Sequence, residues 1–244
     1  MSDADRETTP DADSATAPTP DVPADLLGGT PETAYFWGRV AGDGDLESDC
    51  VTVRVGDETA ADALATIAGI DRRNRSVEAR ESAHDASIVR FEEEYELQVF
   101  GALADRAGAA LGLPLAGQPG GYRFDALAEH RAALLRGLLE ACGTICFRES
   151  SNSVGISFVH DDERLLETIR TLLADAEPDV RGDDLSETSS GGYWFGLADD
   201  ADAAGFARWL YAGTDETGLY SAERRTKLRR SVERATGGDV GELS

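Results

Sequence analysis

Two stretches decide the reading: Phe36-Trp37-Gly38-Arg39-Val40-Ala41-Gly42-Asp43-Gly44 and Leu135-Arg136-Gly137-Leu138-Leu139-Glu140-Ala141-Cys142-Gly143. Each lies in or at the end of a segment with helical character, Ala34–Gly42 in the first case and Arg131–Ala141 in the second. Small residues recur along both, at Ala34, Gly38 and Gly42 and at Ala133, Gly137 and Ala141. That i, i+4, i+8 spacing places each set on one helix face. Glycine inside a helix costs about 1 kcal/mol against alanine. Gly44 and Gly143 are explained as helix ends, but Gly38 and Gly137 are interior. Two helices that accept glycine on the same face are predicted to cross in close backbone contact, as small-xxx-small faces do in membranes.

Outward from these helices the chain repeats an order. Leu46–Val55 reads as one Val-rich strand and Asp57–Ile70 as a helix with acids in its first turn. Arg75–Arg80, Ser87–Glu92 and Tyr95–Phe100 read as strands, and Leu103–Leu111 as a helix. The second copy has strands at Thr144–Arg148 and Val154–Val159 in a hairpin turning at Ser150–Ser153. An amphipathic helix follows at Asp161–Ala174, then a strand at Tyr193–Leu197 and helices at Ala203–Tyr211 and Ser221–Thr236. Such a repeat fixes the architecture. Residues 1–33 hold five of the eight prolines and eight acids against one arginine. They are expected to form a disordered acidic tail. The expected division is 34–116 for the first module, 117–129 for a linker, 130–236 for the second module and 237–244 for a tail.

Composition bounds what such a chain can do. The 244 residues carry 23 Lys and Arg against 47 Asp and Glu, a formal charge of −24, and Lys227 is the only lysine. That balance ordinarily opposes nucleic acid and anionic membranes. An acidic, lysine-poor, methionine-poor chain also suits a salt-loving cell, where molar salt screens charge over a few Å, so acidity reports the solvent and leaves DNA open. Cys50, Cys142 and Cys146 form no disulfide framework and fit reduced cytoplasmic thiols. His84, His130 and His160 are scattered, without zinc-ligand spacing. No basic-flanked apolar leader opens the chain and no run of about 18 apolar residues crosses it. Walker, dinucleotide and serine-elbow motifs are all missing.

The two opening stretches resemble the LAGLIDADG motif of homing endonucleases, two copies whose ends at Asp43 and Cys142 lie 99 residues apart. Phe206-Ala207-Arg208-Trp209-Leu210-Tyr211, then Tyr220 and a basic helix, resembles the end of the family's second repeat, so the likeness covers about residues 34–236. It implies an α+β fold of two pseudo-symmetric αββαββα modules, each presenting an antiparallel saddle sheet to double-stranded DNA. It further implies Gly38, Gly42, Gly137 and Ala141 at the helix crossing. In active relatives the acid closing each motif shares divalent metal, Mg2+, for phosphodiester hydrolysis. Asp43 holds that catalytic and metal position here, the rival reading being a helix-end residue that binds no metal. Cys142 holds the other, and a thiol is a poor magnesium ligand. Glu140, two residues earlier, stands about 200° around the helix and points elsewhere. Cleavage is therefore expected to be lost or impaired, as in relatives that keep the fold as regulators. An active or nicking enzyme and a protein-interaction remnant are the alternatives.

The candidate DNA contacts are the chain's clustered bases. Arg224, Arg225, Lys227, Arg229 and Arg230, with Arg234, make Ser221–Thr236 net +4 and suit phosphates. Arg72, Arg73, Arg75, Arg80 and Arg148 lie on or beside strands, where bases are read. A solvated helix paired with acids accounts for the basic helix equally, pairing with acids is the favoured reading for Arg72–Arg75, and Glu92-Glu93-Glu94 opposes DNA on that face. A monomer in the cytoplasm, with no membrane association, is expected. No intein splice junction is expected, since the sequence closes on Ser244 and not on His-Asn.

Overall fold

The computed structural model describes residues 18–71, 73–82, 85–116, 118–178, 180–197 and 200–236. The first module runs α1 (Pro31–Asp43), β1 (Gly44–Glu47), β2 (Cys50–Val55), α2 (Glu58–Ala68), β3 (Arg73–Ser82), β4 (Asp85–Phe100) and α3 (Leu103–Leu111). The second runs α4 (Arg131–Cys142), β5 (Gly143–Arg148), β6 (Ser153–His160), α5 (Glu163–Ala174), β7 (Ser186–Glu187), β8 (Tyr193–Gly196) and α6 (Asp200–Tyr211). Two further helices, α7 (Thr214–Thr217) and α8 (Ala222–Thr236), follow. Each module is thus αββαββα, and the strand orders match: β1-β2-β4-β3 and β5-β6-β8-β7, all antiparallel.

The predicted crossing of α1 on α4 is the centre of the molecule. A Cβ on Gly38 would strike the Leu134 carbonyl oxygen and lie 3.1 Å from Gly137 Cα. One on Gly137 would strike the Tyr35 carbonyl oxygen and lie 3.0 Å from Arg39 N. A Cβ on Gly42 would lie 2.5 Å from Ala141 Cβ. Around this contact one hydrophobic core spans both modules, from Trp37, Val53, Leu64 and Leu97 to Leu135, Phe158, Phe195 and Phe206.

Several local expectations need correction. Leu46–Val55 is a hairpin, with Glu47 opposite Cys50 and Leu46 opposite Val51. The inward positions run Leu46, then Val51, Val53 and Val55. That break in the two-residue period marks the turn. Ser87–Glu92 and Tyr95–Phe100 are one strand, β4, carried through the glutamate run. Polar residues there do not break it, because Glu93 accepts from Arg75 and from the Tyr95 hydroxyl.

The expected tail also differs. Residues 1–17 lie outside the described residues, but 18–30 form a strap across both modules. Trp37 Nε1 donates to Leu26 O at 2.6 Å, His130 Nε2 stands 3.0 Å from Gly29 O, and Pro18 touches Gly218. Thr30 caps α1, with Pro31 at its first position. A buried indole N–H needs an acceptor, and the strap supplies it. The expected linker 117–129 likewise buries Tyr122, Phe124 and Leu127, and Asp125–His130 is a 3-10 turn leading into α4. Residues 237–244 lie outside the described residues.

Candidate nucleic-acid interface and the Asp43 cleft

Asp43 is the last residue of α1, and its carboxylate lines a cleft of about 160 Å³ between the modules. Arg39, Glu94, Glu140, Arg224 and Lys227 share that cleft. Desolvation raises the Asp43 carboxyl above its usual value. Arg39 and Arg54 oppose the rise, and Glu94 and Asp45 add to it.

Cys142 ends α4 at the matching place, close enough that a Cβ on Gly42 would lie 3.3 Å from its sulfur. Its thiol donates to Leu138 O at 3.3 Å. Burial, with Asp43 alongside, pushes it up to about 12. It stays protonated at neutral pH and offers no thiolate.

Glu140 is buried at the cleft floor, and both its oxygens are engaged. Oε2 accepts from the Tyr35 hydroxyl at 2.6 Å and stands 3.8 Å from Arg39 Nη1. Oε1 accepts from the Tyr211 hydroxyl at 3.0 Å and from Ser221 N at 2.9 Å. Arg136 lies over the rings of Tyr35 and Tyr211 and donates to Leu210 O. Ser221 Oγ donates to Asp57, tying α8 to α2 of the first module. Burial raises the Glu140 carboxyl above its usual value, and its hydrogen bonds make it a structural residue that fastens the module junction.

A divalent cation does not fit these donors. Among the described residues no group of three or more His, Cys, Asp or Glu is placed to hold a metal. The second motif brings a neutral thiol. Of the acids lining the cleft with Asp43, Glu140 and Asp57 are already hydrogen-bonded within the protein, while Glu94 and Glu223 stand among Arg39, Arg224 and Lys227. Hard divalent ions take several oxygens, which are not gathered here.

The expected DNA contacts separate into groups. Helix α8 runs beside β5, from Arg224, which donates to Gly143 O at 3.1 Å, to Ala235, whose carbonyl accepts from Asn152 at 3.1 Å. Arg224 and Lys227 enter the Asp43 cleft; Lys227, Arg230 and Arg234 line a groove of about 710 Å³ with Cys146 and Phe147. Arg229 is exposed. Arg225 is instead held by both oxygens of Asp215 and stacks 4.8 Å above the Tyr220 ring, so it braces α7.

Arg73 and Arg75 do not stand with α8. They pair in register with Leu97 and Tyr95, on the face of the sheet that α2 covers. Arg73 is bound to Glu58 and Asp62 of α2 and Arg75 to Glu93. Arg72 and the side chain of Arg80 lie outside the described residues.

The open faces of the two sheets differ in charge. On the first, outward of Val53 and Leu97, the described charged side chains are Asp45, Glu47, Glu94 and Glu96 and one base, Arg54; the register puts Arg80 and Arg90 on this face too, with side chains outside the described residues. That base is bound to Asp45 at 2.7 Å and to Glu96 at 3.3 Å. On the second stand Thr144, Ser157, Val159, Trp194 and Arg148. Arg148 lies across Gly155, where a Cβ would come 2.5 Å from its Nε. It reaches toward Gly196, beside Asp183. The sequence reading flagged Glu94 but missed Trp194 and the carboxylates of Asp45, Glu47 and Glu96. Their signal was the alternation along each strand, which became usable once the partner strand was known.

Comparison with known proteins places this architecture. Residues 11–238 match the sequence profile of the LAGLIDADG family described as "Putative archaeal homing endonuclease". The chain belongs to that LAGLIDADG family. Among solved structures it is similar to the homing endonuclease I-WcaI bound to its DNA recognition sequence, at 11% identity and TM-score 0.54, over 82% of this chain and 87% of that one. It is similar to I-DmoI in complex with DNA and Ca, at 13% identity and TM-score 0.48, over 84% and 98% of the two chains. It is also similar to full-length DUF199/WhiA from Thermatoga maritima, at 12% identity and TM-score 0.49, over 89% of this chain. It spans 66% of that longer protein. No curated protein sequence matches it. Among the described residues no helix is long and apolar enough to cross a membrane.

Proposed function

We propose that the protein binds double-stranded DNA and does not cut it. The observation that carries this is the Asp43 cleft. The cation pair Arg224 and Lys227 enters it, and a protonated thiol stands where a second metal-binding carboxylate would be needed. Carboxylates of Asp43, Asp57, Glu94, Glu140 and Glu223 also line the cleft, so the groups that would meet a phosphate are Arg224 and Lys227 at its α8 side, and the face of α8 that carries Lys227, Arg230 and Arg234 extends them. Binding of this kind needs no divalent ion. In this reading the protein acts as a monomeric regulator in a cytoplasm of high salt. Support comes from the two modules sharing one core within one chain and from the charge of −24.

A nicking, metal-dependent endonuclease is the second reading. Its specific support is Glu94, which lines the same cleft as Asp43.

The test is to mix the protein with sheared genomic DNA in high potassium chloride, with and without magnesium, and to sequence the bound fragments. Intact fragments sharing a long site, recovered equally in both conditions, support binding without cleavage. Fragments ending abruptly inside a shared site, with magnesium only, support the nuclease. No enrichment overturns both.

A further inference from the structure

We infer that the DNA is gripped by the second module alone, with the first sheet held off it; this rests on the DNA-binding reading. On the open face of the first sheet over β1, β2 and the C-terminal half of β4, the charged side chains described are four carboxylates, Asp45, Glu47, Glu94 and Glu96, and Arg54, which two of them already bind; Arg80 and Arg90 lie on the same face toward the far end of the β3–β4 hairpin. Phosphates approaching that face meet net negative charge, and Arg54 must give up two carboxylates to contact one. Like-charge juxtaposition rejects a partner strongly.

The second sheet has no carboxylate at the corresponding strand positions. Asp183, at its far edge beside Arg148 and Gly196, and Asp161, just past the end of β6 beside Gly192, are acids that approach it. Its near edge is bordered by α8, whose Lys227, Arg230 and Arg234 line the groove beside β5. Val159 and Trp194, paired across β6 and β8, stand 44% and 40% exposed on this face. An exposed tryptophan and valine side by side are costly in water and suit the thymine methyl groups and base edges of a groove. The neutral, aromatic face and its cationic border thus match the chemistry of duplex DNA, with its charged rails and apolar groove floor.

The prediction is a footprint of about one helical turn, to one side of the point where Asp43 sits, in place of a two-sided site. The test uses the full chain on a fragment enriched as above, with hydroxyl-radical footprinting and affinity measured for three variants. Trp194→Ala and Arg148→Ala are expected to weaken binding about tenfold or more, and Glu96→Gln to change it less than about twofold. Thermal melts of all three check that they fold. Trp194 is exposed, so its truncation leaves the core intact and keeps the test decisive if Arg148→Ala melts early. A one-sided footprint lost with Trp194→Ala supports the inference. A two-sided footprint, or a marked gain from Glu96→Gln with no loss from Trp194→Ala, overturns it while leaving DNA binding in place. No footprint and no affinity overturns the DNA-binding reading itself, and this inference with it.

Discussion

At Cys142 a single thiol decides what the cleft can hold. Half-buried, bonded to Leu138 O and pushed up to about 12, it should be alkylated more slowly in the native protein than exposed Cys146. Buried Cys50 should also react slowly. Timed labelling at pH 8, read by mass spectrometry, should show one fast site of three, with all three reactive after unfolding. His160 offers a second residue-scale prediction. Its Nδ1 accepts from Asp162 N at 2.9 Å, and burial lowers its pKa below 6.5. The unfolded chain therefore binds the proton more readily. The stability this bond contributes is present above pH 6.5 and is lost as pH falls below that value toward the folded pKa. His160→Asn, whose side-chain oxygen can accept the same N–H, should flatten that part of a stability–pH profile measured by urea unfolding. Asp43 and Cys142 were legible in the sequence because a motif fixes their place at helix ends. Arg73 and Arg75 were not. Two strand residues two apart share a face, but which face depends on their register with Tyr95 and Leu97.

The α1–α4 crossing is the element on which the two modules depend. Because a Cβ at Gly38 or Gly137 would meet backbone, neither neighbour can yield cheaply. Gly38→Ala and Gly137→Ala should each destabilise by about 2 kcal/mol or more, the overpacking cost exceeding the helix-propensity gain of about 1 kcal/mol. Gly205 in α6 has open space around its Cβ position, so Gly205→Ala should stabilise by up to about 1 kcal/mol. Chemical denaturation of the three variants separates close approach from propensity. These helices could be read from sequence because interior glycine has few other uses. The β1–β2 turn and the continuity of β4 were harder. A two-residue turn leaves a strand-like composition on both sides. A glutamate run looks like a break until Arg75 and Tyr95 are seen to satisfy Glu93.

For the whole molecule, charge is segregated: acids over the first sheet, cations along α8. Affinity for DNA should therefore fall with salt according to the α8 contacts, at about 0.9 log unit per decade for each phosphate engaged. Lys227→Ala should reduce that slope by about one such contact in a potassium chloride titration. Asp43→Asn removes a like charge from the cleft and should tighten binding roughly fivefold, with or without magnesium. The strap of residues 18–30 escaped the sequence reading because its composition is that of a disordered tail. It is ordered by a few contacts, above all the Leu26 carbonyl that accepts from Trp37. The placement of the three tryptophans gives the protein an optical handle. Trp37 is fully buried, Trp209 is half-buried and Trp194 stands 40% exposed on the open second sheet. A collisional quencher should extinguish the red-shifted emission of Trp194 first, and a duplex seated there should shield it. Binding can then be followed by intrinsic fluorescence in molar salt, with no dye attached to either molecule.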